Sequence, residues 1–337
     1  MRINMVRGMN EVQTVVEQAL GKLVQAGGVR DVTFVACGGS LASSYPARYL
    51  LNAESRTLRV AGYNSSEFVH ALPTYVGKNS LVVCTSTKAT PETVEAIEAA
   101  NAAGAVTIGL SGFADSLTAQ SAQHYLTYYH ADEWYQDPGL IHCNSQGTAL
   151  KIAAELLQRV EQWEKYEKML AAFDQMPEIY GAAYQASKIG AVEFGMRYQN
   201  DGIWNVLASG AAYEVAYSDA FCFFQEMQTV HCVPCHSGEY FHGAFETTDA
   251  SLAVLLLKSV GRTRSLDERV ERFLEQFGGH HYILDAKQLG LDRLDEAVAE
   301  YFNAMLLHPI TKQYITALGD IRMHPMSYRR YMWKFDY

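Results

Sequence analysis

Apolar residues recur with two different periods along the chain, and the change of period predicts its helices and strands. Between residues 10 and 25 they recur at helical spacing until Gly27 and Gly28 end the pattern, so an N-terminal helix is expected. Short, continuous apolar runs follow, as is typical of strands buried in a parallel sheet. In the first half of the chain the predicted strands are 31–37, 58–61, 81–84, 106–110 and 125–128.

Helix-like segments separate these strands, and alternating strands and helices favour a parallel, doubly wound sheet. Residues 147–198 are almost all helix formers. The second half then repeats the pattern, with strand 203–208, a turn at Ser209-Gly210-Ala211, helices 213–228 and 266–277, and later strands 252–257 and 281–284. We expect an α/β protein with two tandem flavodoxin-like domains, each a five-stranded parallel sheet flanked by helices. The predicted bounds are 1–160 for the first domain with its N-terminal helix, 161–200 for a helical connection, 201–310 for the second domain, and 311–337 for a C-terminal tail that covers the active site.

Length and charge narrow the class of protein. The chain has 337 residues, which suggests two domains of about 150 residues. Its net charge of −10 disfavours nucleic acid or an anionic membrane as a partner. The longest wholly apolar run, residues 252–257, is too short to cross a bilayer, and the N-terminus lacks the apolar core of a signal peptide, so a cytoplasmic location is expected.

The cysteines show no disulfide spacing, so we expect reduced core residues. Residues 232–236 read C-V-P-C-H and formally match a haem-attachment, redox or half-zinc motif. No second C-x-x-C completes a zinc site, and the favoured interpretation is two small residues on a buried strand. We expect neither a metal nor a cofactor.

Two predicted strand ends carry glycine and hydroxyl side chains. Gly39 and Ser40 follow the first strand, and Ser86, Thr87 and Thr90 follow the third. Backbone amides at a glycine-rich turn and hydroxyl donors suit a phosphate group. Because carboxyl ends of parallel strands share one edge of the sheet, both turns should open there. Packing turns of this kind also occur without a ligand, so each motif alone is weak.

Residues 224–246 bring together side chains suited to proton transfer. Glu226 ends a helix-like run, and Glu239 and His242 lie on a glycine-containing turn. A carboxylate and an imidazole in one pocket can move protons at carbon and oxygen near neutral pH. Glu239 is either a second acid in the site or a turn-stabilising carboxylate. His231 and His236 fit structural or substrate-lining positions better than catalytic ones.

Several motifs together resemble double sugar isomerase (SIS) domain proteins, most closely the fructosamine-6-phosphate deglycases. They span nearly the whole chain and read VACGGS at 35–40, YN-S-x-EF at 63–68, TPET at 90–93, ASG at 208–210, EMQ at 226–228, HSGEYFHG at 236–243 and HP-x-S-x-RRYMWK near the end. The tail motif combined with EMQ and SGEYFHG is the most specific part. The resemblance implies an enzyme that cleaves 6-phosphofructosyl-amino acids through a C1–C2 enaminol intermediate.

The same resemblance implies roles for individual residues. Glu226 is similar to the family's catalytic glutamate and His242 to its catalytic histidine, while Ser40, Ser86 and Thr87 would hold the 6-phosphate. Lys334 in the tail would reach the sugar, or else be a surface charge. The resemblance also implies a homodimer in which the histidine reaches the partner's pocket.

Two other functions stay open at this point. One is aldose–ketose isomerisation of an amino-sugar phosphate, which needs the same enolisation; the tail motif and EMQ favour the deglycase. The other is a sugar-phosphate-sensing regulatory protein, which would not need both Glu226 and His242.

Two departures from the family pattern concern the turns. The loop 86–90 lacks the family's glycine and is one residue shorter. In the second domain Ala212 and Glu214 replace small positions, so that turn is not expected to hold a second phosphate in the same way.

Overall fold

The computed structural model describes residues 7–130 and 137–335. The chain divides into two compact units, Met1–Pro177 and Glu178–Tyr337. The division falls inside a single long helix, close to the connection expected at 161–200.

The first unit contains the predicted five-stranded parallel sheet. Its order is β2-β1-β3-β4-β5, and every neighbouring pair is parallel. β1, β3 and β4 are buried along their whole length, which explains why most of their residues are apolar. The strands are β1 Asp31–Ala36, β2 Arg59–Asn64, β3 Ser80–Thr85, β4 Val106–Ser111 and β5 His124–Thr127.

Helices lie between these strands, and local sequence determines where several of them begin. Asn64 accepts hydrogen bonds from two backbone N–H groups at the start of α4, and Asn144 accepts one from the Gly147 N–H at the start of α7. Pro91 opens α5, where its missing N–H costs nothing. The helices are α1 Met9–Val24, α2 Gly38–Ser43, α3 Tyr45–Glu54, α4 Ser65–His70, α5 Pro91–Ala102, α6 Leu117–Ser121 and α7 Ser145–Glu161, with a 3₁₀ turn at Pro138–Cys143.

The helical run predicted for 147–198 is divided in two. α7 ends at Glu161, and Gln162, which follows it, adopts a left-handed conformation with φ 54°. The long helix α8, Tyr166–Tyr198, then passes through the boundary between the units.

The second unit departs from the predicted strand count. Its sheet has the order β7-β6-β8-β9, so the described residues form four parallel strands and the expectation of five is wrong. After β9 the chain carries several charged residues and a left-handed Gly290, which disfavour a strand, and it makes 3₁₀ turns at Leu291–Arg293 and Ala299–Phe302 instead. The strands are β6 Ile203–Ala208, β7 His231–His236, β8 Ala253–Lys258 and β9 His281–Asp285.

The helices of the second unit are partly irregular. α9 spans Tyr213–Ser218 and continues as a wider π-helical segment, Asp219–Met227, where one regular helix was expected. α10 spans Arg264–Phe273 and ends in a second π-helical turn, Leu274–Gly278. α11 spans Asn303–Ile321, so the tail predicted to begin at 311 starts inside this helix.

The cysteine motif lies on β7, at the edge of the second sheet. No disulfide joins the six cysteines, all of which lie in the described ranges, and Cys232 and Cys235 are thiols on this strand. Pro234 between them lacks an N–H, which an edge strand tolerates. Burial raises the pKa of the Cys232 thiol above its ordinary value, so this thiol resists ionisation. Among the described residues, none of the helices has the length and apolar character needed to cross a bilayer.

Candidate active site

The turn after β1 leaves the first sheet through a left-handed glycine. Cys37 is extended, and Gly38 follows with φ 51°. The space beside it is open, because a Cβ atom placed on Gly38 would meet nothing within 4 Å. Gly39 and Ser40 come next, and Ser40 donates its backbone N–H to Cys37 O at 3.1 Å. Among the described residues the Ser40 hydroxyl has no hydrogen-bond partner, so the turn offers a donor beside open space.

The turn after β3 is closed by its own hydroxyl groups. Ser86 is only 2% exposed, and its hydroxyl accepts from the Thr90 N–H at 2.8 Å while donating to Thr90 Oγ1 at 3.0 Å. The Thr87 hydroxyl lies 2.9 Å from the phenol oxygen of Tyr128. Ser86 and Thr87 therefore stabilise the turn itself, and Thr90, which is exposed, is the outermost hydroxyl of the three.

The left-handed position in this turn falls on Ala89, with φ 68°. The loop thus keeps a backbone conformation that glycine adopts freely, although it has no glycine. An L-residue in that region costs about 1 kcal/mol or somewhat more.

Both turns open at the same edge of the first sheet, which confirms the prediction from the sequence. Ala36 at the end of β1 pairs with Thr85 at the end of β3, so the two turns begin side by side. The direction of strand order reverses between β1 and β3, and doubly wound sheets bind their ligands at such a point.

The corresponding turn of the second sheet is filled by protein atoms. Gly210 follows β6 with φ 53°, and a Cβ atom placed on it would collide with the Thr263 hydroxyl. The Ser209 hydroxyl donates to Thr263 O at 3.2 Å. Thr263 therefore fills the space beside Gly210, whereas the equivalent space beside Gly38 is open.

A buried carboxylate completes the filling of this second edge. Asp267 is 0% exposed and accepts from the Ser237 hydroxyl at 2.7 Å. It also accepts from the Ser259 N–H at 2.9 Å and the Ser259 hydroxyl at 2.6 Å. The donors after β7 and β8 are thus satisfied by the protein's own anion, which supports the expectation that this turn does not bind a second phosphate.

Glu226 lies in the π-helical segment Asp219–Met227. The Gln228 N–H bonds to Phe223 O, five residues back, at 2.9 Å, which is the hydrogen-bond pattern of a π-helix. Such segments are rare and frequently lie at functional sites, because the wider turn changes the direction of the side chains that follow.

The C-terminal tail contacts Glu226 directly. Arg329 Nη2 lies 2.7 Å from Glu226 Oε1, and the two side chains are 11% and 21% exposed. Burial raises the pKa of the Glu226 carboxyl above its ordinary value, and the Arg329 guanidinium offsets part of that rise. A carboxyl group with a raised pKa that remains partly exposed is suited to accepting and returning a proton.

Gln228 makes a second connection to the tail. This residue is fully buried and donates its side-chain amide to His324 O at 2.9 Å. Arg329 and Gln228 were both part of the motifs noted in the sequence, but neither was selected as a site residue. The joint presence of EMQ and the tail motif was the sequence signal that could have identified them. In the structure, residues of these two motifs are in direct contact.

The other predicted site residues of the second unit are exposed. His242 ends the 3₁₀ turn Tyr240–His242 and donates its N–H to Glu239 O at 2.9 Å. The side chains of Glu239 and His242 both face solvent. Lys334 is also exposed, with its Nζ 5.7 Å from the centre of the Tyr328 ring.

His236 has a structural role, as favoured from the sequence. Its Nδ1 accepts the Gly238 N–H at 3.0 Å, which stabilises the turn that leads to His242. His231 at the start of β7 is exposed. Within the ranges 7–130 and 137–335, no group of three or more histidine, cysteine, aspartate or glutamate side chains is arranged to hold a metal ion.

Comparison with known proteins identifies full-length relatives, although no family model matches the chain. The fructosamine deglycase FrlB of Bacillus subtilis (strain 168) is 35% identical over 328 residues, which cover 97% of each protein. A crystal structure from Bacillus subtilis described as a phosphosugar isomerase superposes with a TM-score of 0.91 at 35% identity over 97% of each chain. A second one, from Salmonella typhimurium LT2, has a TM-score of 0.90 at 34% identity and covers 97% of this chain and 99% of its own.

Proposed function

The chain belongs to the fructosamine deglycase family of double sugar isomerase domain proteins, and on that premise we propose that it hydrolyses fructosamine 6-phosphates. The substrate is a 6-phosphofructosyl-amino acid, and the products are glucose 6-phosphate and the free amino acid. We also place the enzyme in the cytoplasm, where cysteines that form no disulfide, such as its own, stay reduced.

The chemistry of this substrate requires proton transfers. A ketosamine must lose a proton from C1 to form an enaminol and then regain a proton at C2. The resulting glucosylamine is hydrolysed by water to the sugar phosphate and the amine. These steps are acid–base chemistry, for which a carboxylate and an imidazole suffice without a metal or an organic cofactor.

We assign the C1–C2 proton transfer to Glu226. The single observation that carries this assignment is the contact of Glu226 with Arg329, because it joins the two sequence motifs most specific to the family. His242 is assigned to ring opening and to protonation of the oxygen or nitrogen. Its exposed side chain lies on the turn that follows β7.

We assign the 6-phosphate to the edge of the first sheet. Gly39 and Ser40 directly follow Gly38, beside which the space is open, and Thr90 is the outermost hydroxyl of the neighbouring turn. Ser86 and Thr87 support this edge through the hydrogen bonds that close the turn. Glu239 and Lys334 are assigned to the sugar or to the amino acid it carries.

The test is a direct assay of product release. The purified protein is incubated with 6-phosphofructosyl-lysine, -aspartate and -glycine, and glucose 6-phosphate is measured with a coupled dehydrogenase. We expect release of glucose 6-phosphate from at least one of them. Glu226→Gln protein serves as the blank. Failure with all three would reject the deglycase assignment.

An aldose–ketose isomerase is the second candidate, because two similar structures are described as phosphosugar isomerases. Such an enzyme would interconvert an amino-sugar phosphate and its ketose partner by the same enolisation. Incubating the protein with fructose 6-phosphate and glucosamine 6-phosphate distinguishes the two. Turnover of either one, with none of the ketosamines, would favour the isomerase.

We further propose a homodimer in which His242 acts in the partner's site. What supports this is the exposed position of His242 and the preference of soluble proteins for two-fold assemblies. Mixing inactive Glu226→Gln and His242→Ala proteins under subunit exchange would then build one intact site in each mixed dimer. Activity should return to up to about a quarter of the wild-type value. No recovery despite demonstrated exchange would reject the shared site and leave the chemistry intact.

A further inference from the structure

We propose that Arg329 is a positioning residue that holds Glu226 by one carboxylate oxygen and thereby keeps the other oxygen free to exchange a proton with the substrate. This inference rests on the proposed function. It assigns a role to the C-terminal tail that is more specific than covering the site.

The guanidinium of Arg329 is fixed on both sides. Its Nη1 donates to Met326 O at 2.9 Å and to Tyr328 O at 2.7 Å, while Nη2 contacts Glu226. Trp333 packs near it, with 5.3 Å between the guanidinium carbon and the ring centre. With Nη1 held by these two carbonyls, Nη2 is the donor that faces Glu226 Oε1, while Nε is buried without a hydrogen-bond partner among the described residues.

The turn that carries Arg329 is itself held in place. Gln228, two residues after Glu226, is bonded to His324 O, and a side chain at Gly319 would meet Gln228 Nε2 at 2.6 Å and His324 O at 2.8 Å. The close packing at Gly319 leaves this turn little room to move. The tail is therefore attached to the segment of Glu226 at two points.

The ion pair acts on the two oxygens of Glu226 differently. Oε1 faces the guanidinium, whereas Oε2 has no hydrogen-bond partner among the described residues. Burial alone would raise the pKa of Glu226, and Arg329 is the charged group of the described chain that acts against it. The pair thus keeps the carboxyl ionised at a lower pH than its burial would otherwise allow.

The first experiment measures the pH dependence of kcat/KM for Arg329→Met. Its acid limb reports the group that must be ionised in the free enzyme. We expect that limb to move up by about one pH unit or more, because a charge this close usually shifts a carboxyl by about 1–3 units. Arg329→Lys keeps the charge without the anchored fork and should show a smaller shift with a reduced kcat.

Arg330→Met is the matched control. Arg330 is exposed and lies beside Tyr331, so its removal changes the net charge equally without touching Glu226. Its acid limb should match the wild type. An equal shift in both variants would mean that overall charge, not the pair, sets the limb, and would overturn the inference.

A second readout does not depend on turnover. The pKa of Glu226 is followed by carbon-13 NMR of protein labelled at glutamate, with the resonance identified by its loss in Glu226→Gln. If no ketosamine is a substrate, this titration still tests the pair, so failure of the function and failure of the inference are distinguishable. An unchanged Glu226 titration in folded Arg329→Met protein contradicts the proposal, as does a variant that is faster than wild type at every pH, which would show that the pair inhibits.

Discussion

The turns that follow β1 and β6 have the same backbone and different surroundings. Cys37 and Ser209 are both extended, and the glycines after them have φ 51° and 53°. Gly38 faces open space, whereas Gly210 faces the Thr263 side chain. The two turns therefore share one backbone conformation, and the side chains around each turn decide whether the space beside the glycine is open or filled by protein.

The turns that follow the neighbouring strands differ in the same way. At the second edge Asp267 satisfies the donors of Ser237 and Ser259, so an anion is already part of the fold. At the first edge the space next to Gly38 is open, and the hydroxyl of Ser40, two residues on, has no hydrogen-bond partner among the described residues. The open turn of the first unit supports the proposed phosphate site, whereas the proton transfer that we propose for the second unit lies away from its filled turn, at Glu226.

The largest expected effect is a loss of turnover without a loss of binding when Glu226 is replaced. Glu226→Gln keeps the shape and removes the base, so kcat should fall by about 10² to 10⁴-fold while affinity for the sugar phosphate stays near normal. Steady-state kinetics and calorimetric binding measure the two quantities. Glu246→Gln, an exposed glutamate on the following turn, is the control and should retain full turnover. A Glu226→Gln enzyme with ordinary turnover would remove this residue from the mechanism.

The next effect concerns the first edge. Ser40→Ala should weaken ligand binding by about 10 to 100-fold with little change in kcat, because a hydrogen bond to a charged group contributes about 1.5–3 kcal/mol. The control is Ser209→Ala at the second edge, which removes an internal bond to Thr263 and should leave affinity unchanged. If Ser40→Ala loses turnover at unchanged affinity, the phosphate assignment is wrong.

A matched pair of glycine substitutions tests whether the two sheet edges differ in the room beside their glycines. Gly38→Ala and Gly210→Ala both introduce a side chain at a positive φ, so each should lose about 1 kcal/mol of unfolding free energy. Gly210→Ala must also displace Thr263, and overpacking adds about 1–3 kcal/mol. Urea unfolding of both variants measures the difference, and equal losses would show that the second edge is not filled.

The smallest effect is a gain in stability. Ala89→Gly relieves the left-handed strain in the turn after β3 and should raise the free energy of unfolding by up to about 1 kcal/mol. Ala103→Gly at the end of α5 is the control, since that residue has a right-handed conformation and should lose stability instead. A loss for Ala89→Gly would mean that the turn takes another conformation in solution.

Much of the fold and part of the site follow from the sequence. The apolar runs of the first unit predict all five strands of its sheet, most strongly β1, β3 and β4, because strands buried on both faces are mostly apolar. The turns at Gly38 and Ser86 were predicted to meet at one edge, and the register of β1 with β3 confirms it. Local signals of this kind depend on neighbouring residues, which a sequence displays directly.

The tertiary structure alone decided the rest. A helical periodicity does not distinguish an α-helix from the π-helical segment that carries Glu226, since they differ by one residue in hydrogen-bond spacing. The contact of Glu226 with Arg329 joins residues far apart in the chain, and so does the filling of the second edge by Asp267 and Thr263. The prediction of a fifth strand in the second sheet was wrong because it assumed symmetry with the first unit. Among the described residues, those directly after β9 form turns instead. Sequence determined which elements form, and packing between distant residues determined what each strand end is free to do.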